Sequence, residues 1–366
     1  MQIEAADIVV NISPQKLVDA INDAKKSARI VKLTYVCDSD EGIVRVARGK
    51  SFTYKRAGKQ VKDNETLARI KGLVIPPAWQ NVWICSQQNG HLQCTGVDLM
   101  GRKQYRYHPL WSALRKETKF YRLLQFGQAL KSIRKQLSLH LSDRNLSRQK
   151  VLAAVVSVMD KTGIRVGNSV YEKLYGSFGL STLKDQHIKI KGNKIHFSFR
   201  GKKGVYQNIS LKSARLAKII KECKEIPGKE LFQYMDESGG RHSISSGEVN
   251  DYIKDISGGE FTSKDFRTWT GTIDCLAQFT KIGGFETQAD MRRNTIAAID
   301  GVAANLGNTR TVCKSHYIHP LILTMYEDTR LMKYMLPGGL AKPNVDSNAL
   351  ETTLIKILKK EKMQVK

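Results

Sequence analysis

Apolar residues recur along this chain with two periods, and the change from one to the other divides it. Residues Ser13 to Lys26, SPQKLVDAINDAKK, open with a serine cap and Pro14, then set Leu17, Ala20 and Ile21 at helical spacing, which predicts a short helix. IVKLTYVC and GIVRVARGKSFTYK alternate β-branched and aromatic residues on either side of the turn DSDEG, a strand pattern. ETLARIKGLVIPP predicts a second short helix stopped by Pro76 and Pro77, because proline has no amide to donate and biases the residue before it away from helix. NVWICSQQNGHLQCTGVDLMGRKQYRYHP predicts two or three more strands, with QNG and MG as turns.

Beyond Pro109 the period lengthens. FYRLLQFGQALKSIRKQLSLHL and QKVLAAVVSVMDKTGIRVGNSVYEKL carry apolar residues at intervals of three and four, so each is expected to be helical. HIKIKGNKIHFSFRGKKGVYQNISL returns to alternation around the turns KGN and RGKKG, which predicts a short sheet inside the helical region. Helical patterns resume at SARLAKIIKECKEI and GEVNDYIKDIS and continue beyond KDFRTW. The expected fold class is α+β: a small mixed-sheet domain over residues 1–110 and a larger, mainly helical domain over 111–366 that contains a short β-sheet. The basic end, IKILKKEKMQVK, reads equally as the end of a helix that touches DNA and as a solvated tail.

Charge gives the pattern a partner. The 366 residues include 60 Lys plus Arg against 34 Asp plus Glu, a formal charge of +26, and residues 101–150 alone hold 13 basic and 2 acidic residues. A single-signed field of that size attracts a polyanion and makes binding salt-dependent. The six cysteines are scattered without a CxxC pair or zinc spacing, and they read as reduced thiols of a cytoplasmic protein. The start, MQIEAADIVV, lacks a basic region followed by a long apolar segment, and no eighteen-residue apolar run occurs later, so neither secretion nor membrane spanning is expected.

Against this background five residues form a candidate site for phosphoryl chemistry: Arg165 in GIRVGN, Lys202 in RGKKG, Arg267 in KDFRTW, Asn308 in LGNTR and Tyr317 in KSHYIHP. Cationic side chains can neutralise a pentacoordinate phosphate, and a tyrosine can attack it to leave a phosphotyrosine ester. Arginine supplies a fixed fork that stays charged at neutral pH, whereas an asparagine amide donates without adding charge. A lysine on a turn can reach a leaving oxygen and protonate it, and Lys203 is an alternative donor by composition. Each residue also has an ordinary reading, as a surface arginine, a turn lysine or a turn asparagine. His316 and His319 bracket the tyrosine without a third ligand nearby, so no metal site is expected. Asp265 reads as an orienter or helix cap, Cys313 as a bystander thiol, and Tyr175 and Tyr326 as packing residues.

IPPAWQNVWIC, GHLQCTG and GRKQYRYHP, taken in order with IRVGN, KDFRTW, LGNTR and YIHP, resemble the bacterial branch of the type IB DNA topoisomerases, which is related to the poxvirus enzymes. The resemblance covers approximately residues 30–335. It implies a clamp around duplex DNA and a catalytic domain with the tyrosine recombinase fold. It also implies relaxation of positive and negative supercoils through a 3′-phosphotyrosyl intermediate, without ATP and without a cofactor. The family's catalytic residues map onto Arg165, Lys202, Arg267, Asn308 and Tyr317, with Lys202 favoured over Lys203. The third phosphate ligand is histidine in the eukaryotic and viral branches and asparagine in bacterial members, as at Asn308.

DNA contacts are implied for Lys103, Gln104, Tyr105 and Tyr107, although alternation sets the two tyrosines on the strand face opposite Gln104 and Arg106. Asn168 and Tyr171 are further contact candidates near the cleaved bond. A monomer acting on duplex DNA in the cytoplasm, associated with the bacterial nucleoid and not with a membrane, is expected. A tyrosine recombinase is the enzymatic alternative, though recombinases usually carry histidine where this chain has Lys264 and generally have an all-helical N-terminal domain. A non-enzymatic DNA clamp is the other.

Overall fold

The structure, a computed structural model, describes residues 23–49, 51–99, 101–335 and 346–362. It divides into two compact units, with the boundary between Arg122 and Leu123. The fold is α+β, as the change of period predicts.

The first unit is built on a six-stranded antiparallel sheet. Its strands are β1 (Gly42–Arg48), β2 (Ser51–Arg56), β3 (Lys59–Gln60), β4 (Gln80–Cys85), β5 (Leu92–Val97) and β6 (Lys103–Tyr107), in the order β3-β2-β1-β4-β5-β6. Ile43, Val82, Ile84 and Cys94 point to one face and pack with Ile70 of helix α2 (Asn64–Gly72). A second small core joins Ala28 of α1 (Ala24–Ile30) and Val31 and Leu33 to Trp111 and Leu114. Helix α1 is capped by Asp23, and most of the helix expected over Ser13–Lys26 lies outside the described residues. The strand expected at IVKLTYVC does not form: this segment makes only a parallel bridge between Thr34 and Gly90. Lys32 takes a left-handed conformation (φ 56°), which interrupts an extended ladder, and the segment's apolar residues go to two different small cores.

Helix α3 (Pro109–Leu141) runs across the boundary and begins well before the expected FYRLL, at a proline in the first turn where no amide is needed. Helix α4 (Arg148–Thr162) is the axis of the second unit. Its run VLAAVVSVM is apolar all round, and every residue from Val151 to Met159 is buried. The expected single helix over QKVLAAVVSVMDKTGIRVGNSVYEKL is broken after Thr162 by Gly163 in the left-handed conformation, and it resumes as α5 (Ser169–Tyr175). The irregular stretch between them holds Arg165.

Strands β7 (Ile188–Lys191), β8 (Lys194–Arg200) and β9 (Tyr206–Lys212) form the expected antiparallel sheet, with Lys202 at the β8–β9 turn. Helix α6 (Ala214–Glu225), a small hairpin of β10 (Gln233–Met235) and β11 (Arg241–Ser243), and helix α7 (Ser246–Ser257) follow. Then come α8 (Ser263–Ile282), α9 (Gln288–Leu306), α10 (Arg310–His316) and α11 (Pro320–Glu327), and finally α12 (Ser347–Lys362). Helix α12 is docked through buried Leu350, Leu354, Ile357 and Leu358, so of IKILKKEKMQVK the apolar Ile357 and Leu358 belong to the core while Lys356, Lys359 and Lys360 are exposed; its last four positions lie outside the described residues. Among the described residues no helix is long and apolar enough to cross a membrane.

Candidate active site

Helix α8 is the element on which the site is built. Asp265 fixes its start, accepting from the Thr262 amide at 2.8 Å and the Thr262 hydroxyl at 2.9 Å, which is the helix-cap role among those open to it. One turn later, Arg267 is only 5% exposed. Its guanidinium donates to the carbonyl of Gly163, at the end of α4, and at 3.0 Å to that of Leu306, at the end of α9. Both carbonyls are helix-terminal acceptors without an intrahelical donor, carrying the negative end of the helix dipole. One side chain therefore ties together two helix ends.

Arg165 is drawn in from the other side. The loop that carries it lies across the segment 179–181: Leu180 donates to the Arg165 carbonyl at 2.9 Å, and Ser181 to that of Val166 at 2.6 Å. A Cβ on Gly179 would stand 2.6 Å from the Arg165 carbonyl oxygen, so only glycine permits this approach. The Arg165 guanidinium donates to Asn308 Oδ1. Asn308 follows Gly307, the left-handed cap of α9, and its amide donates to Ala303 at 2.9 Å.

These arginines lack the partner that buried cations ordinarily have. The groups acting on them are each other, Tyr317 and Cys313, and among the described residues no carboxylate pairs with either. Burial, reinforced by Arg165, brings Arg267 down to about 10, and burial also lowers Arg165. Both stay charged at neutral pH. Arg267 Nε and Asn308 Nδ2 are buried donors without a hydrogen-bond partner among the described residues. Uncompensated charge and unmet donors at one place suit an anionic ligand.

Tyr317 ends α10 beside this cluster, with the Arg267 guanidinium carbon 5.0 Å from its ring centroid. Burial pushes its phenol up, but Arg267, Arg165 and Lys264 outweigh burial, and the net displacement is below the ordinary tyrosine value. The backbone here is held by α8. The Thr272 hydroxyl shares its proton between the carbonyls of Thr268 at 2.8 Å and Tyr317 at 3.3 Å, and accepts from the His319 amide at 3.1 Å. A Cβ on Gly271 would come within 2.7 Å of the Tyr317 carbonyl oxygen, so α8 touches the tyrosine through a missing side chain.

Arg165, Arg267, Tyr317 and Lys202 line one cleft of about 250 Å³, together with Asn168 and Tyr171. Asn308 joins through its bond to Arg165. Lys202 is exposed at the β8–β9 turn, with Nζ 5.9 Å from the Tyr171 ring centroid. Asn168 caps α5, accepting from the Val170 amide at 2.8 Å. Lys264 also lines the cleft and acts on Tyr317, a placement not read from the sequence. Its signal was present: it precedes Arg267 by three positions, one turn along the same helix face.

The bracketing histidines differ. His316 is exposed, while His319 Nδ1 accepts from the Leu321 amide at 3.2 Å and so caps α11. Burial lifts the Cys313 thiol to about 11, away from reactivity. Tyr326 is fully buried against Phe279, whereas Tyr175 is 42% exposed on α5 rather than packed in the core.

The implied DNA contacts on β6 belong to the first unit. Lys103 Nζ pairs with Asp38 at 2.5 Å and lies 5.8 Å from the Tyr105 ring centroid. Tyr105 and Tyr107 stack with their rings 5.9 Å apart. Gln104 sits on the opposite strand face, donating to Asp98 at 2.9 Å, so the four do not share one surface.

Comparison with known proteins follows the same division. Residues 110–334 match the model of the eukaryotic DNA topoisomerase I catalytic core, and residues 51–98 match that of the bacterial DNA topoisomerase IB N-terminal domain. The chain is 31% identical over 299 residues to DNA topoisomerase 1B of Acanthamoeba polyphaga mimivirus, covering 79% of this chain and 88% of that protein. It is 24% identical over 293 residues to DNA topoisomerase 1B of Vaccinia virus strain Copenhagen, covering 78% and 90%. To DNA topoisomerase 1 of Daucus carota it is 25% identical over 240 residues, covering 58% of this chain and 29% of the plant protein.

Proposed function

Because the chain belongs to the type IB DNA topoisomerases, enzymes that cleave and reseal one strand through a tyrosyl intermediate, we propose that Tyr317 is its nucleophile and that Arg165, Arg267, Asn308 and Lys202 complete its catalytic set. The observation that carries this reading is the company of Tyr317. Its phenol is partly buried beside two buried arginines that, among the described residues, no carboxylate pairs with.

The phenol loses its proton to solvent and its oxygen attacks the phosphorus of a duplex phosphodiester. Negative charge gathers on the nonbridging oxygens, where Arg165, Arg267 and the Asn308 amide meet it. One such preorganised donor contributes on the order of 3 kcal/mol to the transition state, roughly a hundredfold in rate. The bond to the 5′ oxygen breaks, and Lys202 supplies the proton that this poor leaving group needs. The 3′ phosphate stays on Tyr317. Because the ester retains the bond energy, the 5′ hydroxyl can return and expel the phenolate without ATP. Rotation between the two steps removes supercoils of either sign. Asn168 and Tyr171 bind the backbone beside the cleaved bond, and Lys103, Tyr105 and Tyr107, on one face of β6, contact the duplex from the first unit, whereas Gln104 on the opposite face is not counted with them. The protein acts as a monomer on duplex DNA in the cytoplasm, at the bacterial nucleoid.

Relaxation of a negatively supercoiled plasmid in EDTA without ATP tests the activity, and mapping the DNA-linked peptide tests the nucleophile. Tyr317→Phe is expected to abolish covalent capture while noncovalent duplex binding persists. A capture site other than Tyr317 would overturn the assignment.

A further inference from the structure

The aromatic side chains of the first unit form a connected row that extends past β6. Tyr105 stacks on Tyr107, and the Tyr107 ring centroid is 6.1 Å from that of His91. His91 stacks on Tyr35 at 4.2 Å, with the planes 12° apart. Trp111 meets His91 edge-on at 4.7 Å and Tyr35 at 6.4 Å. The row has a wet side and a dry side: Tyr35, Tyr105 and Tyr107 are each more than 40% exposed, while His91 and Trp111 are buried.

Tyr35 is held in place although its segment is not a strand. The His91 amide donates to the Thr34 carbonyl at 2.8 Å, and the Val36 amide donates to His91 Nδ1 at 3.1 Å. Burial keeps His91 below the usual imidazole range, consistent with that neutral, accepting nitrogen. Cations flank the row: Lys103, paired with Asp38, stands over Tyr105, and the Arg115 guanidinium is 6.0 Å from the Trp111 ring centroid. A rigid exposed ring with a hydroxyl, set between cations, fits a sugar or thymine-methyl face below and a phosphate oxygen at its edge.

We propose that Tyr35 is a further duplex-contacting residue of this enzyme, continuing the Tyr105–Tyr107 surface and setting affinity and cleavage-site preference rather than chemistry. This inference rests on the duplex-contact reading of β6 given above. The occupant is duplex DNA because the row is continuous with that surface, has the Arg115 guanidinium at its Trp111 end, and belongs to a chain with a formal charge of +26.

The test uses the full chain with Tyr317→Phe, which cannot cleave, and a labelled duplex titrated at several salt concentrations. Adding Tyr35→Ala is expected to weaken binding about tenfold without changing the slope of log K against log salt, because no ionic contact is lost. Tyr35→Phe should stay within about twofold of its parent, and Arg115→Ala should lower the slope by about one. A photoreactive phenylalanine analogue at position 35 should crosslink to the duplex, and this readout decides if Tyr35→Ala lowers the melting temperature. Unchanged binding by Tyr35→Ala together with no crosslink would overturn the inference alone. A parent that binds no duplex overturns the underlying reading as well.

Discussion

Two arginine centres lie near α8, and their surroundings are opposites. Arg134 of α3 is held by two carboxylates: Nε donates to Asp160 at 2.9 Å, and Nη1 donates to Glu351 of α12 at 2.7 Å. The Trp269 indole of α8 also donates to Glu351, at 3.3 Å. Trp269 is two positions beyond Arg267, which turns it to nearly the other side of the helix. There, Arg267 and Arg165 donate to carbonyls and an amide oxygen and lie by Tyr317 and Cys313, with no carboxylate paired to either among the described residues. A neutralised arginine fastens elements together, whereas one left with neutral acceptors keeps its charge for an anionic ligand.

The sharpest way to break this contrast is at Arg267. Arg267→Gln is expected to lower the single-turnover cleavage rate about a thousandfold, since it removes the buried charge that the proposed mechanism sets at the reacting phosphate. The same change should alter the pH profile. Deprotonated phenol is the attacking form and Tyr317 titrates below its ordinary value, so the rate should rise with pH and level off earlier than a free tyrosine would allow. Removing the cation that lowers it most should move that limb to higher pH. An unmoved limb would mean that Arg267 does not act on the nucleophile.

Lys202 tests the contrast at an exposed group. Lys202→Ala should slow cleavage about a hundredfold, and a substrate with sulfur in place of the 5′ bridging oxygen should recover most of that loss, because a thiolate leaves without a proton. Failure of the sulfur substrate to recover the rate would give the proton to another donor.

A smaller effect is expected where α8 meets the nucleophile. Gly271→Ala places a methyl against the Tyr317 carbonyl, so kcat should fall about tenfold with duplex affinity unchanged. Unaltered turnover would show that the tyrosine backbone shifts freely.

The smallest effect on chemistry belongs to the neutralised centre. Glu351→Ala should lower Tm by about 2–6 °C while leaving relaxation within about twofold, as for a largely buried ion pair, remote from the phosphate, whose arginine keeps its second carboxylate, Asp160. Loss of cleavage at unchanged Tm would erase the distinction between the two centres.

The same contrast explains what the sequence made legible. The catalytic candidates stand in short, separate motifs, and residue types suited to phosphate could be recognised there without knowing the fold. Strands and helices followed from period where one face alone is buried, as in β8 and α6. Period failed at IVKLTYVC, whose apolar residues serve two cores, and at Gly163, where an unbroken helical pattern conceals a left-handed residue. Lys264 was not counted with the site, because its role comes from sharing a helix face with Arg267. Backbone acceptors were beyond reach: nothing in the letters at Gly163 or Leu306 says that their carbonyls will hold Arg267.

That last arrangement bears on when the protein becomes dangerous to a chromosome. The anchors of Arg267 lie at positions 163 and 306, and the proposed nucleophile, Tyr317, lies beyond both, so a nascent chain or a proteolytic fragment lacking either end has no assembled centre. On that assignment, competence to nick a genome arrives only once the chain extends past Tyr317, and an unfinished molecule is inert without needing an inhibitor.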